Sequence, residues 1–225
     1  MNISALNLFP LILSLKVALS ATLLSIAIGI PMAYFLCKSN SKIADLADSL
    51  LTLPIVLSPT VLGYYLLILL GRQSFIGSFL EENFNVMIVF TPIGATIAAM
   101  IVSIPFMIKT ARTAFTSIDK DLIHAARLLG RTDFNIFRTV LFPLAWRGIL
   151  SGIILSFARA LGDFGTTLMV AGNIPNKTTT MPLAIYDALL AGNTELTDML
   201  VAIMTIVALS ILFLLNQFDK NILRR

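Results

Sequence analysis

Charge is what this sequence has least of. Asp, Glu, Lys and Arg together make up 12% of its 225 residues, about half the share of an ordinary soluble domain. One cysteine is present, Cys37, so no disulfide forms within the chain and no cysteine-rich zinc site is built. One histidine is present, His124, which excludes a histidine metal cluster. No Gly-x4-Gly-Lys loop is there to cradle phosphates. No Cys/His pair offers catalytic geometry, and the charges inside the apolar runs (Lys16, Arg159 and Asp163, with Asp48 at the edge of one run) do not converge. No catalytic residue, metal ligand or cofactor is therefore expected. Internal repeats and low-complexity segments are also missing.

What is there is mostly apolar. Hydrophobic residues make up 57% of the chain, and the mean hydropathy is +0.92. This composition predicts an all-α polytopic membrane protein in one transmembrane domain, residues 1–225, with no separate soluble part. Five runs are long enough to cross the ~30 Å hydrocarbon core: approximately 11–37, 46–70, 87–108, 144–165 and 199–217. No Lys or Arg precedes the first run, which is too long for a cleaved signal. The second contains Pro54 and Pro59, which remove two backbone donors. Such a segment suits a helix packed on protein or lining a wet path. The third is rich in small residues, Gly94, Ala95, Ala98, Ala99 and Ser103, which favour close helix packing. Residues 183–190 are apolar but too few to span, and read as a re-entrant or surface helix.

Five spans put the termini on opposite sides. In that arrangement twelve basic residues share one side: Lys38 and Lys42; Lys109, Arg112, Lys120, Arg127, Arg131, Arg138 and Arg147; Lys220, Arg224 and Arg225. Only Arg72 and Lys177 fall on the other. Positive charge stays in the cytoplasm, so the N-terminus is expected outside and the C-terminus inside. The net charge of +4 then reflects loop bias, and no nucleic-acid partner is expected.

The longest polar interval, Ser117 to Pro143, is thereby cytoplasmic, within a loop at 111–143. Asp119 and Asp121 suit a helix start. Leu122, Ala125, Ala126 and Leu129 fall at i, i+3, i+4 and i+7, one apolar face. Gly130 predicts a left-handed stop. Thr132 or Asp133 suits the cap of a second helix, and Pro143 is read as its end. Small residues at Ala125 and Ala126 let another surface come close, which predicts a docking element.

This pattern resembles the cytoplasmic loop of bacterial ABC importer permeases, of the form Glu-Ala-Ala-x3-Gly-x9-Ile-x-Leu-Pro. The matching positions are His124, Ala125, Ala126, Gly130, Val140, Phe142 and Pro143. Val140 and Phe142 are mild departures; His124 stands where the family has an acid. Further stretches are similar to molybdate-type permeases: Leu15-Lys-Val, Leu53-Pro-Ile-Val-Leu-Ser-Pro-Thr-Val-Leu-Gly-Tyr, Gly71-Arg-x3-Ile-Gly, Phe157-Ala-Arg-Ala-Leu-Gly-Asp-Phe-Gly-Thr-Thr and Asn173-Ile-Pro-x2-Thr-Thr-Thr-Met-Pro-x2-Ile-Tyr. The resemblance implies a type I ABC importer permease fold in the cell inner membrane, embedded in the lipid bilayer as a homodimer. It implies two cytoplasmic ATPase subunits as partners and an outer-face molybdate-binding protein. The 117–143 loop would couple to the ATPase, with His124, Ala125, Ala126, Gly130 and Pro143 as the coupling residues. The alternatives are a sulfate/thiosulfate or tungstate permease, or an ATP-independent secondary carrier, which would be expected to show repeats and a coupling-ion site.

Several residues have two readings. Ser58, Pro59 and Thr60 are either a kink satisfied by neighbours or, as the resemblance suggests, pathway lining near the dimer axis. Arg159 and Asp163, spaced i, i+4, are either a neutralised pair at a helix contact or part of an outer gate. His124 is either a pH-sensing or ATPase-contacting group or a plain polar surface residue at the start of the helix.

Overall fold

A computed structural model of the chain describes residues 7–39, 41–84 and 86–222. Arg224 and Arg225, counted with the basic tail, lie outside the described residues. Among the described residues every regular element is helical.

Three helices make the centre. Phe9–Lys38 (α1) begins where the Asn7 side chain accepts the Phe9 amide at 3.0 Å, with Pro10 in the first turn. Its buried residues Val17, Ala18, Ala21, Ser25, Gly29 and Ala33 form one stripe. Between α1 and the next central helix come Lys42–Val56 (α2), Pro59–Leu70 (α3) and Phe75–Phe84 (α4). The second central helix, Pro92–Thr116 (α5), is capped by Thr91, whose hydroxyl accepts the Gly94 amide at 3.3 Å. Ala95, Ala98 and Ala99 on α5 are fully buried. Lipid tails are as apolar as leucine, so small residues and polar contacts, not water exclusion, hold such helices together.

The third central helix, Phe142–Leu161 (α8), follows the short helices Lys120–Leu128 (α6) and Asp133–Ile136 (α7). It lies very close to α5. A β-carbon at Gly148 would stand 2.3 Å from Ala114 Cβ, and one at Gly152 would stand 2.2 Å from Thr110 Oγ1. The three helices are also tied by buried hydroxyls. Ser25 and Ser103 lie 3.3 Å apart, and Ser156 donates to the Ser103 carbonyl at 3.2 Å. Gly165–Ala171 (α9), Met181–Leu190 (α10) and Thr194–Ile222 (α11) complete the chain.

Four helices are long and apolar enough to cross a membrane: α1, α5, the helix ending at Leu161, and α11. The bent pair α2–α3 makes a fifth. The apolar helix α10 has ten residues, which is too short to span. This is the all-α polytopic architecture that the composition predicts.

Two helix limits differ from the sequence reading. The run at 46–70 is two helices bent by 116°, not one kinked helix. Pro59 forces Ser58 out of the helical region, and both Leu57 (ψ 142°) and Ser58 (ψ 144°) are extended. Pro143, in turn, does not end the helix that starts at Asp133. A π-helical turn, Phe137–Leu141, runs straight into α8. Pro143 has no N–H and crowds the carbonyl one turn back. The wider turn absorbs this, with the Phe142 amide reaching back to the Phe137 carbonyl.

Candidate coupling and pathway sites

The 117–143 loop is assembled from local signals. Asp119 caps α6 by accepting the Asp121 amide at 2.9 Å. At the other end Gly130 has φ +73°. The Arg131 amide bonds the Ala126 carbonyl at 3.2 Å and the Gly130 amide bonds the Arg127 carbonyl at 2.9 Å, which is a Schellman closure. Nothing lies within 4 Å of a β-carbon there, so glycine is required by conformation and not by space. Thr132 then caps α7, accepting the Asn135 amide.

No residue of α6 is buried. His124 and Ala125 are exposed and Ala126 is half-buried. Ile118, Ile123 and Ala126 pack on the inner core. Leu128, Leu129 and Phe134 are 90%, 82% and 70% exposed. The loop therefore holds on by one edge and presents bare apolar side chains outward. Pro143 sits apart from α6, in the first turn of α8.

An ion cluster fixes the loop to α1. Asp133 pairs with Lys38 at 2.5 Å and with Arg127 at 3.3 Å. Lys38 closes α1 and Asp133 precedes α8, so both lie beyond the apolar segments 11–37 and 144–165. The Lys38 ammonium, by hydrogen bond and charge, holds the Asp133 carboxyl below its ordinary value, with Arg127 adding to the effect. Asp133 in return raises the Lys38 pKa. Behind the cluster lies a cleft of about 300 Å³ lined by Tyr34, Phe115, Ile123 and Ile136 among others. Aromatic rings link its walls. Phe137 lies 4.9 Å from Tyr34 and 5.9 Å from Phe115, centroid to centroid. Arg112 on α5 pairs with Asp48 on α2 at 2.8 Å, which ties the broken span to the foot of the loop.

The other candidate residues meet at a second place. Ser58 caps α3 through a contact with the Val61 amide at 3.4 Å. The Thr166 hydroxyl donates to the Pro59 carbonyl at 3.2 Å. A β-carbon at Gly165 would stand 3.0 Å from Pro59 Cβ, and one at Gly63 would stand 2.6 Å from Met169 Cβ. The turn from α8 to α9 thus docks on the break in the second run, with Ser58, Pro59 and Thr60 exposed on its surface. Asp163 lies in that turn. Its side chain is 1% exposed, and one oxygen accepts both the amide and the hydroxyl of Thr167, at 2.9 and 2.8 Å. Arg159 Nη1 stands 3.4 Å from its other oxygen.

Gly165 and Thr166, just after Asp163, therefore lie against Pro59 and Thr60, while the residues of the 117–143 loop form a separate site. The aromatic links at Phe137, the Asp133 ion cluster and the three serines are absent from the sequence reading, because their members are far apart in the chain. Gly148 and Gly152 carry a readable signal, a small-x3-small pair. Among the described residues no three His, Cys, Asp or Glu side chains converge in a way that would hold a metal ion.

An exposed small-residue helix closed by a glycine, hung beneath a bundle of apolar helices with a broken span, defines a membrane permease of the type I ABC importer fold. An inward-facing structure of the MetNI methionine ABC transporter superposes with a TM-score of 0.73 at 17% identity, covering 94% of both chains. The family model described as "Binding-protein-dependent transport system inner membrane component" matches residues 25–225, and the chain belongs to that family. It is a multi-pass membrane transport subunit and not an enzyme. The chain is 39% identical over 217 residues to the putative molybdenum transport system permease protein YvgM of Bacillus subtilis, covering 96% of each. It is 38% identical over 213 residues to the molybdenum transport system permease protein ModB of Escherichia coli K12, covering 95% of this chain and 93% of that one.

Proposed function

We propose that this chain is the permease subunit of an ATP-driven molybdate importer. Two copies enclose the pathway in the cell inner membrane. Two ATPase subunits bind from the cytoplasm, and a molybdate-binding protein delivers the oxyanion at the outer face. The observation that carries the reading is the coupling loop. No residue of its helix α6 is fully buried in its own chain, and Leu128, Leu129 and Phe134 stand in the open on a cytoplasmic surface. A partner protein that covers them gains buried apolar area. The identity to two molybdenum permeases along nearly their whole length supports the substrate.

In this reading α6 sits in a groove of the ATPase, with His124, Ala125, Ala126 and Gly130 at the contact. Motion passes to the spans through the Asp133 cluster, the Phe137 rings and the helix that continues past Pro143 into α8. At the other end Ser58, Pro59 and Thr60 line the pathway, and the docked α8–α9 turn with Arg159 and Asp163 forms the outer gate. The skewed distribution of Lys and Arg supports the orientation, N-terminus outside and C-terminus inside.

The test is uptake. Proteoliposomes carrying this chain, its co-encoded ATPase and the binding protein are expected to accumulate molybdate only with ATP. Tungstate and sulfate serve as competitors. Uptake by this chain alone would sink the importer reading in favour of a secondary carrier. Accumulation of sulfate in preference to molybdate would reassign the substrate.

A further inference from the structure

Between the cytoplasmic ends of α5 and α8 runs a groove of about 470 Å³. Lys109 lines it from α5 and Arg147 from α8, with Thr113, Ser117 and Ser151 beside them. On each helix these residues recur every four positions, so each presents one polar ridge to the groove. No carboxylate lines it. Among the described residues Lys38, Arg72, Arg112, Arg127 and Arg159 all have an acidic partner. Lys109 and Arg147 have none, as is also true of Lys16, Lys42, Lys120, Arg131, Arg138 and Lys177, but these two line one groove. Two cations that share a groove without a counter-charge stabilise an anion placed between them.

The hydroxyls suit the same ligand. Thr113 and Ser117 donate to carbonyls within their own helix, each at 2.9 Å. Rotation about the Cβ–Oγ bond re-aims such a proton without moving the backbone. Ser151 is exposed, and its hydroxyl has no hydrogen-bond partner among the described residues. Charged donors converging with hydroxyls are the chemistry that recognises an oxygen-rich anion. Arg159 lies twelve residues further along α8, a rise of about 18 Å. Its charge is met by the buried Asp163. The compensated cation of α8 is thus at one end and the uncompensated one at the other.

We propose that the Lys109–Arg147 groove binds a tetrahedral oxyanion group at the cytoplasmic mouth of the permease. The proposal rests on the importer reading for its sidedness. Two sources share this chemistry: the transported oxyanion as it leaves, and the phosphate of an inner-leaflet phospholipid. Both are tested together. The full complex with its ATPase is placed in nanodiscs of phosphatidylcholine, with or without phosphatidylglycerol. Acylation of each lysine is followed by mass spectrometry, with Lys42 as the internal control and molybdate as the probe against chloride at equal ionic strength.

Molybdate is expected to slow acylation of Lys109 but not of Lys42 in phosphatidylcholine. Arg147→Gln should abolish that protection. So should Ser151→Asp, an exposed change that puts a carboxylate into the groove and keeps the test open if the arginine variant does not assemble. Protection by phosphatidylglycerol alone assigns the site to the lipid phosphate. Protection with no oxyanion present that persists when the complex is held in a phosphate-free maltoside detergent would place the ATPase over the groove and overturn the proposal, whereas protection in phosphatidylcholine that is lost in that detergent assigns the site to the lipid phosphate. Acylation unchanged by either anion would also overturn the proposal. ATP-driven uptake by the same purified wild-type complex, reconstituted with the binding protein into proteoliposomes, separates the two levels. Uptake with unprotected Lys109 removes only the groove, whereas absent uptake removes the importer reading.

Discussion

The Thr166 hydroxyl donates to the Pro59 carbonyl at 3.2 Å, and this joins the start of α9 to the break in the second apolar run. Thr166 is fully buried, and Pro59 lies between the extended Ser58 and the rest of α3. Thr166→Val keeps the shape and removes the donor. A net hydrogen bond contributes about 1 kcal/mol, so the variant is expected to unfold at lower temperature in detergent. Its uptake should fall with stability, and Thr166→Ser should restore both. A variant as stable as wild type would mean that the contact holds nothing in place.

Gly130 sets the shape of the loop. A β-branched residue at φ +73° is strained by roughly 1–3 kcal/mol. Gly130→Val should therefore distort the end of α6 without touching the spans. The expected outcome is a subunit that inserts and assembles while the complex hydrolyses ATP without moving substrate. Gly130→Asn, which tolerates the left-handed region, should retain most uptake. Equal uptake by both variants would remove the geometric basis for coupling through this helix.

Gly148 tests the centre of the bundle. An alanine there would place its methyl 2.3 Å from Ala114 Cβ, so α5 and α8 must separate. Overpacking of this kind costs about 1–3 kcal/mol. Gly148→Ala should lower the unfolding temperature, and adding Ala114→Gly should recover it. Failure of the second change to rescue the first would show that the close approach is not what Gly148 provides.

How much of this was legible follows from which interactions are local. Asp119, Gly130 and Thr132 act on amides a few residues away, and the sequence places the loop's helices by them. The apolar runs reveal the spans for the same reason. Pro59 and Pro143 announce trouble but not its outcome. One breaks a run into two helices at 116°; the other is absorbed by a π turn. The difference depends on what packs beside each. Asp163 was legible as a partner for Arg159 from spacing alone. That its other oxygen holds the start of α9 was not, because the chain leaves the helix just before it. Tyr34, Phe115 and Phe137 meet only after three segments fold together, and no window of sequence contains them.

Asp133 offers a prediction whose sign with pH is fixed. Its carboxyl is held below its ordinary value of 3.8, first by Lys38 and then by Arg127. A carboxylate with a depressed pKa contributes stability above its unfolded value and loses it as pH falls through the folded one. Lys38, raised above 10.5, contributes below that value and loses its share as pH rises through the raised one. The stability gap between wild type and Asp133→Asn should thus be flat through neutral pH and close at both extremes, as pH falls below the ordinary carboxyl value and as it rises past the ordinary lysine value. Both groups are about half exposed, so the gap should be small and should shrink with added salt. Uptake should respond more than stability, because these pairs fasten α1 to the loop that we propose meets the ATPase. The measurement is unfolding temperature and ATP-driven uptake for both proteins across pH and salt. A gap that widens in acid would mean that Asp133 acts through something other than its charge.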